Sequence, residues 1–161
     1  MKKILIQKGE VLQRPGELDS KIFVVQAGLL RSFAVDPKGK EHLFMFAPEG
    51  WIIGDYSPPE QPAELFIDAL EDSQIVILKK GSEDRSNFAK IRKRLYVLQQ
   101  RILMLMSASA IQRYEHFTAT YPDIINRVPQ RMIASYLGIT PEALSKVKGD
   151  RKRKQQNLNL D

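Results

Sequence analysis

The stretch QRMIASYLGITPEALSKVK, residues 130–148, decides how the C-terminal part of this chain folds. Its pattern predicts two short helices joined at Gly138, where a left-handed backbone would strain any residue that carries a Cβ. Ala134 is small enough to let the two helices approach closely. Thr140 followed by Pro141 is typical of a helix start, with an N-cap hydroxyl and a proline at the first helical position.

The apolar positions of this stretch fit a helix pair that packs on itself and on a third helix. They are Ile133, Leu137, Ile139, Leu144 and Val147. An ordinary pair of antiparallel helices would satisfy the same packing. The outward positions favour a helix–turn–helix that reads DNA, because they carry polar groups able to reach base edges or phosphates. These outward residues are Glu142, Ser145, Lys146 and Lys148.

The charge of the chain is concentrated in its second half. The whole chain has 161 residues and a net charge of +6. Residues 1–82 carry 10 basic and 12 acidic side chains, whereas residues 83–161 carry 15 basic and 7 acidic ones. Such an imbalance predicts that the second half meets a polyanion. Charge that serves only solubility is the alternative.

The first 82 residues alternate short apolar segments with turn signals. Segments rich in Ile, Val, Leu and Phe, separated by Gly and Pro every 8–12 residues, predict an all-β sandwich or barrel. Residues 29–47, LLRSFAVDPKGKEHLFMFA, predict a hairpin. In its turn, Pro37 fixes φ and Gly39 accepts a positive φ.

A long helix follows, because apolar residues recur after Lys80 at spacings of three and four. They are Phe88, Ile91, Leu95, Leu98, Ile102 and Leu105. This heptad predicts a seam for a second copy of the chain, and hence a homodimer. Packing of the same stripe on the β-domain of its own chain is the alternative. Ser109 is predicted to cap a further helix, and residues 149–161 are predicted to form a mobile polar tail.

Several functional classes are excluded by composition. The chain has no cysteine, which removes thiolate metal sites and iron–sulfur clusters. His42 and His116 are isolated in the sequence, so we expect no metal and no cofactor. No grouping of serines, histidines and carboxylates forms a catalytic set, so we expect no enzyme. The apolar segments are too short for a membrane span or a secretion signal, which predicts a cytoplasmic protein.

With these motifs in place, the chain resembles Crp/Fnr-family transcriptional regulators. The resemblance is carried by residues 7–33 (QKGEVLQRPGELDSKIFVVQAGLLRSF), 46–55 (FAPEGWIIGD) and 128–148 (VPQRMIASYLGITPEALSKVK). It implies an α+β fold in three parts. These parts are an N-terminal jelly-roll β-barrel of the cyclic-nucleotide-binding type over residues 1–82, a long dimerisation helix over 83–107, and a C-terminal helix–turn–helix over 108–161. The last part should be winged-helix-like with a reduced wing, because a polar tail follows the second helix.

The resemblance also implies a function and a set of DNA contacts. A regulator of this family binds a pseudo-palindromic operator in double-stranded DNA as a homodimer, and RNA polymerase is a candidate further partner. The family's base-contacting positions match Glu142 and Lys146, with Ser145 between them and Lys148 close by. Its phosphate contacts fall near Gln130, Arg131 and Thr140. A module of the same fold that binds an effector or a protein, with weak or lost DNA binding, is the alternative.

The effector of such a regulator is harder to name from this sequence. The family's cyclic-AMP sensors hold the nucleotide with a Gly-Glu pair, an Arg-Ser pair and a Thr-Ser pair. The matching positions here are Gly54–Asp55, Ala63–Glu64 and Leu98–Gln99. A carboxylate replaces the phosphate clamp, and no Arg or Lys occurs between Lys40 and Lys79. Since a partly buried phosphate needs a cation or several donors, we expect no cyclic-AMP binding and leave the effector unknown.

Overall fold

The computed structural model describes residues 3–58, 60–80 and 85–158, with side chains given except at 85–87 and 154–158. The chain forms two compact units, Met1–Tyr96 and Val97–Asp161. The division falls inside a helix. The three-part division at residues 82 and 107 that the sequence suggests remains a prediction.

The first unit contains two antiparallel four-stranded sheets. The described strands are β1 (Lys3–Ile6), β2 (Val11–Gln13), β3 (Ile22–Ala27), β4 (Leu30–Val35), β5 (Glu41–Ala47), β6 (Ile52–Gly54), β7 (Phe66–Ala69) and β8 (Ser73–Leu78). One sheet has the order β1-β8-β3-β6 and the other β2-β7-β4-β5. Each sheet therefore mixes strands from both ends of the unit, as in a jelly roll. The β-barrel part of the predicted fold class is confirmed.

The predicted hairpin is the pairing of β4 with β5. Their register runs from Leu30 opposite Ala47 to Val35 opposite Glu41. At the turn, the Asp36 N–H donates to the Lys40 carbonyl at 3.0 Å, and Gly39 has a φ of 78°. The positive φ is the reason that glycine suits this position. The predicted hairpin and its turn are confirmed.

Apolar side chains fill the space that the two sheets enclose. Large side chains of this core with less than 2% exposure include Leu29, Leu30, Met45, Phe46, Ile52, Ile53 and Ile67. Burial of this many methylene groups is the main favourable contribution to the stability of the unit. A rigid sheet pair of this kind gives fixed positions to the loops at its ends.

Four α-helices are described after the strands. They are α1 (Arg85–Ser107), α2 (Ala110–Thr120), α3 (Gln130–Leu137) and α4 (Pro141–Leu158), with a short 3₁₀ turn at Ile124–Asn126. The predicted cap of α2 is present, because the side-chain oxygen of Gln112 accepts from the Ser109 N–H at 2.9 Å. In the described part of the chain, no helix is both long and apolar enough to cross a membrane.

The sequence-based expectation for the C-terminal tail was wrong. Residues 149–158 continue α4 for about three further turns instead of forming a mobile tail. Arg, Lys and Gln have good helix propensity, so a run of them extends a helix that has already started. No strand follows α4 among the described residues, and the reduced wing of the prediction is replaced there by helix.

Candidate functional site

The loop after β6 is organised around the carboxylate of Asp55, which is only 3% exposed. One carboxylate oxygen accepts from the Ser57 N–H at 2.9 Å and from the Ser57 hydroxyl at 2.6 Å. The other accepts from the backbone N–H groups of Glu64 and Leu65, at 2.7 and 3.0 Å. Four donors thus surround one buried anion, which is the number that a carboxylate can accept. We call residues 54–58 and 60–65 the cassette.

These hydrogen bonds hold Asp55 in its ionised form. Burial alone would raise the pKa of the Asp55 carboxyl, but donation from Ser57, Glu64 and Leu65 outweighs burial and lowers the pKa below its ordinary value. The cassette therefore contains a fixed negative charge at neutral pH. It is satisfied by groups of the chain itself.

Two cations that the sequence analysis missed lie at the cassette. Arg94, on α1, is 4% exposed, and it donates to the Gly54 carbonyl at 2.8 Å. Its guanidinium carbon also lies 4.4 Å from the centre of the Tyr56 ring. Lys80 donates to the Ser57 carbonyl. Both cations lie outside the range between Lys40 and Lys79. Arg94 follows Ile91 by three positions and therefore shares its face of the helix, and this spacing is the signal in the sequence that points to Arg94.

The structure brings together the first two predicted parts of the effector pocket. Asp55 binds the backbone of Glu64 directly, and Ala63 beside it is 3% exposed. The repulsive carboxylate assigned to Glu64 needs correction, because the Glu64 side chain is exposed and the buried carboxylate of the cassette is that of Asp55. Gly54 approaches β3 so closely that an added Cβ would lie 3.0 Å from the Lys21 carbonyl. Leu98 and Gln99 belong to the other compact unit and remain a prediction.

The predicted dimer seam on α1 is only partly exposed. Phe88, Leu95 and Ile102 are 67%, 63% and 59% exposed, which is unusual for large apolar side chains. Ile91, Leu98 and Leu105 are half-buried. The seam is corrected at Ile91, because this side chain packs on the sheet cluster of Ile22, Val24, Ile52, Val76 and Leu78. Three further apolar residues of α1 that the seam omitted are exposed, namely Tyr96, Leu103 and Met106.

The two helices predicted from residues 130–148 are α3 and α4. Gly138 ends α3 in the left-handed conformation, with a φ of 63°. The Ile139 N–H returns to the Ala134 carbonyl at 3.1 Å, and the Thr140 hydroxyl accepts from the Ala143 N–H at 3.2 Å. The predicted turn and cap are confirmed as geometry. The predicted core is buried as well, at Ile133, Ala134, Leu137, Leu144 and Val147, with Ile139 half-buried.

Two arginines tie this helix pair to the C-terminal part of α1. The Arg113 side chain donates to the carbonyls of Leu105, Ala108 and Leu137, at 3.1, 3.0 and 3.1 Å. Arg101 donates to the Tyr136 carbonyl at 3.1 Å and lies 4.2 Å from the centre of the Tyr136 ring. Cations at helix C-termini satisfy carbonyls that the helix itself leaves unpaired. The α3–α4 pair is therefore fixed to the helices before it.

The polar residues predicted for DNA contact lie on the surface of this unit. Exposed side chains are those of Gln130, Arg131, Thr140, Glu142, Ser145 and Lys146, and Lys148 is half-buried. Lys148 donates to the side-chain oxygen of Gln130 at 3.0 Å. Hydrogen bonds from its own backbone N–H and from Thr140 lower the pKa of the Glu142 carboxyl, so this side chain stays an acceptor at neutral pH.

The two histidines have separate surroundings. His42 lies 2.8 Å from an Asp36 carboxylate oxygen in the β4–β5 hairpin, and it lowers the pKa of that carboxyl. His116 is half-buried in α2, where burial lowers its pKa.

Comparison with known proteins identifies the family. Residues 3–85 match the cyclic nucleotide-binding domain family, and the chain belongs to it. Electron transport regulator A of Shewanella oneidensis is 26% identical over 168 residues, covering 89% of this chain and 66% of that protein. Transcriptional activator protein FnrA of Stutzerimonas stutzeri is 24% identical over 163 residues, covering 88% and 67%. The chain thus spans about two thirds of the length of the curated relatives it matches.

Solved structures agree with this assignment at the level of the fold. A CRP/FNR-family transcriptional regulator from Thermus thermophilus superposes with a TM-score of 0.72 at 19% identity, covering 95% of this chain and 87% of that one. The resemblance to Crp/Fnr regulators that the sequence motifs carry is confirmed. One of the two relatives is named as a regulator and the other as a transcriptional activator, which supports a regulatory role for this chain.

Proposed function

We propose that the chain is a sequence-specific DNA-binding regulator of the Crp/Fnr type, which acts as a homodimer and whose cassette does not bind cyclic AMP. The observation that carries the proposal is the α3–α4 pair. Its apolar side is buried, its turn is fixed at Gly138, and its outer side presents Glu142, Ser145 and Lys146 to solvent. A helix presented in this way fits the major groove of DNA.

The side chains of α4 suggest how bases are read. Glu142 is ionised and can accept a hydrogen bond from cytosine N4, and Lys146 can donate to guanine N7 or O6. We propose that Arg131 and Gln130, at the start of α3, contact phosphates, together with Thr140; all three side chains are exposed. Phosphate contacts set the register and the salt dependence of binding, whereas base contacts set the sequence preference.

The dimer is supported by the exposed apolar side chains of α1. Phe88, Leu95 and Ile102 recur every seven residues, so they lie on one side of the helix. A two-fold dimer through this seam would present two reader helices to successive major grooves, about 34 Å apart, and so would recognise a pseudo-palindrome. RNA polymerase remains a candidate further partner.

The absence of cyclic-AMP binding is supported by Asp55. The donors that a bound phosphate would need in the cassette already serve a buried carboxylate. A second anion would have to displace that carboxylate or lie beside it, and both cost free energy in a desolvated site.

Two paired variants test the DNA contacts. Duplexes are selected from a random pool with the wild-type protein, and binding is measured by fluorescence anisotropy at several salt concentrations. Lys146→Ala should lose about 1–3 kcal/mol on the selected duplex and relax the preference at one base pair. Arg131→Ala should weaken binding to all duplexes and lower the salt slope by about 1 per protomer. Equal binding by wild type and Lys146→Ala would contradict the assigned roles, and no enrichment of any sequence would favour the alternative module without DNA binding.

A second pair of variants tests the dimer. Leu95→Glu places a charge in the seam and should weaken dimerisation by about 4 kcal/mol, or about a thousandfold in Kd. Leu18→Glu is the matched control, because Leu18 is 64% exposed against 63% for Leu95 but lies outside α1. Sedimentation equilibrium should give a monomer for the first variant and a dimer for the second. A wild-type monomer at micromolar concentration would contradict the proposed dimer.

A further inference from the structure

The C-terminal turns of α4 continue the exposed side of the helix that carries Lys146. Residues 142, 145, 146, 149, 152 and 153 are spaced so that they fall within one sector of an α-helix, and all are exposed. Gly149 has no side chain, and nothing lies within 4 Å of where a Cβ would be. Lys152 and Arg153 therefore lie along the same line as the proposed base-reading residues, one or two turns further on.

Beside this line, residues of α4 and α2 line an open cationic cleft. The cleft has a volume of about 300 Å³ and is lined by Tyr114, Lys148, Arg151 and Lys152. Tyr114 is 5% exposed and forms its floor. The guanidinium carbon of Arg151 lies 5.6 Å from the centre of the Tyr114 ring. A guanidinium near the face of an aromatic ring still has N–H groups that can donate to an anion.

The three cations of the cleft are close neighbours on one helix. Lys148 and Lys152 are four residues apart, and Lys148 and Arg151 are three apart, so their like charges repel. No lining residue is acidic. The nearby Asp150 pairs with Arg153 at 2.8 Å, outside the set of lining residues. An anion bound in the cleft would attract all three cations and so would offset their mutual repulsion.

We propose that the cleft binds a phosphate of the DNA backbone, with Arg151 and Lys152 as its principal contacts. The proposal rests on the DNA binding proposed above. The proposed phosphate contact lies on the C-terminal turns of α4, beyond the residues proposed to read bases. Two observations favour duplex DNA as the occupant: the charge of the cleft, and Lys152, which belongs both to the cleft and to the exposed line of Lys146. Arg151 supplies a fork that matches two phosphate oxygens, and Lys152 supplies a point charge.

The test uses the double variant Arg151→Gln/Lys152→Gln in the full chain. Its matched control is Lys38→Gln/Lys40→Gln, which removes the same charge from exposed positions of the β4–β5 turn. Binding to the selected duplex and to a random duplex is followed by fluorescence anisotropy over a series of salt concentrations. Two phosphate contacts are lost in each protomer, so the slope of log K against log salt should fall by about 1.8 per protomer, or about 3.6 for the proposed dimer, with the control unchanged.

The affinity of the double variant should fall on the order of tenfold or more at 0.1 M salt, by the same factor on both duplexes. Lys152→Gln alone, at an exposed site, should lower the slope by about 0.9 per protomer, or about 1.8 for the proposed dimer, which keeps the test valid if Arg151 also supports folding. A slope equal to that of the wild type would overturn the cleft proposal alone, and so would a loss confined to the selected duplex. A wild-type protein that binds no duplex would overturn the proposed function as well.

Discussion

The cassette and the exposed side of α4 both concentrate charge, but they differ in what satisfies it. In the cassette, the Asp55 carboxylate is buried and receives four hydrogen bonds from its own chain. On α4, Lys146 and Lys152 are exposed to solvent, and the cleft beside them brings three cations together. A closed set of hydrogen bonds stabilises a fold, whereas an unbalanced charge attracts a partner. The exposed side of α4, which we propose binds DNA, thus carries charge that the chain does not balance, whereas the charge in the cassette is satisfied internally.

The largest expected effect comes from removing the buried carboxylate of Asp55 from the cassette. Asp55→Ala leaves buried backbone N–H groups without an acceptor, so it should lower the free energy of unfolding by about 3–5 kcal/mol. Glu64→Ala is the control, because that carboxylate belongs to the same cassette but is exposed, and it should change stability by less than about 0.5 kcal/mol. Urea titration measures both.

Added anions provide a second test of the role of the Asp55 carboxylate. Acetate or phosphate should raise the melting temperature of Asp55→Ala more than that of the wild type, because a small anion can take the place of the lost carboxylate. Equal stability of the Asp55 and Glu64 variants would show that the cassette is not organised around Asp55.

A smaller change in stability is expected when either of two glycines, Gly138 after α3 and Gly149 in α4, is replaced by alanine. Gly138 has a φ of 63°, and an added Cβ would lie 3.3 Å from Leu105. Gly138→Ala should therefore cost about 1–2 kcal/mol. Gly149 is in the middle of α4 with open space around it, so Gly149→Ala should stabilise the helix by about 0.5–1 kcal/mol. Thermal unfolding of the two variants should move in opposite directions, and a shared direction would mean that one of the two backbone conformations is wrongly assigned.

The smallest expected effect is the pH dependence that Asp55 gives to the free energy of unfolding. The folded state lowers the pKa of this carboxyl, so its contribution to stability is fully present above the unfolded pKa, about 3.9. The contribution is lost as the pH falls from there through the lower folded pKa. The stability difference between wild type and Asp55→Asn should be constant between roughly pH 5 and 7, and it should shrink in acid. A difference that grows in acid would contradict the assignment.

What the sequence could predict differs between the two ends for physical reasons. The turn at Gly138 and the cap at Thr140 depend on neighbouring residues, so local pattern was sufficient to place them. The position of Arg94 at Gly54 depends on how α1 packs against the β-sheets, which no local pattern contains. Asp55 was recognised as a site residue, but the sequence did not show that its carboxylate receives four hydrogen bonds from its own chain, which span up to ten residues.

The same distinction explains the errors on the helices. Ile91 obeys the heptad as well as Leu95 does, and only the packing of Ile91 against the sheet separates the two. The end of α4 was misjudged because Gly149 and a run of charges suggested a tail. In the structure, the helix propensity of Arg151 and its neighbours outweighs the cost of one glycine.

We propose above that the α3–α4 pair binds DNA and that it does so without a nucleotide in the cassette. The most direct measurement is a titration of the selected duplex with the purified protein, with and without cyclic AMP, followed by fluorescence anisotropy. We expect salt-dependent binding that prefers the selected duplex over a random one, with the same affinity with and without cyclic AMP. Binding that appears only when cyclic AMP is added would contradict this proposal.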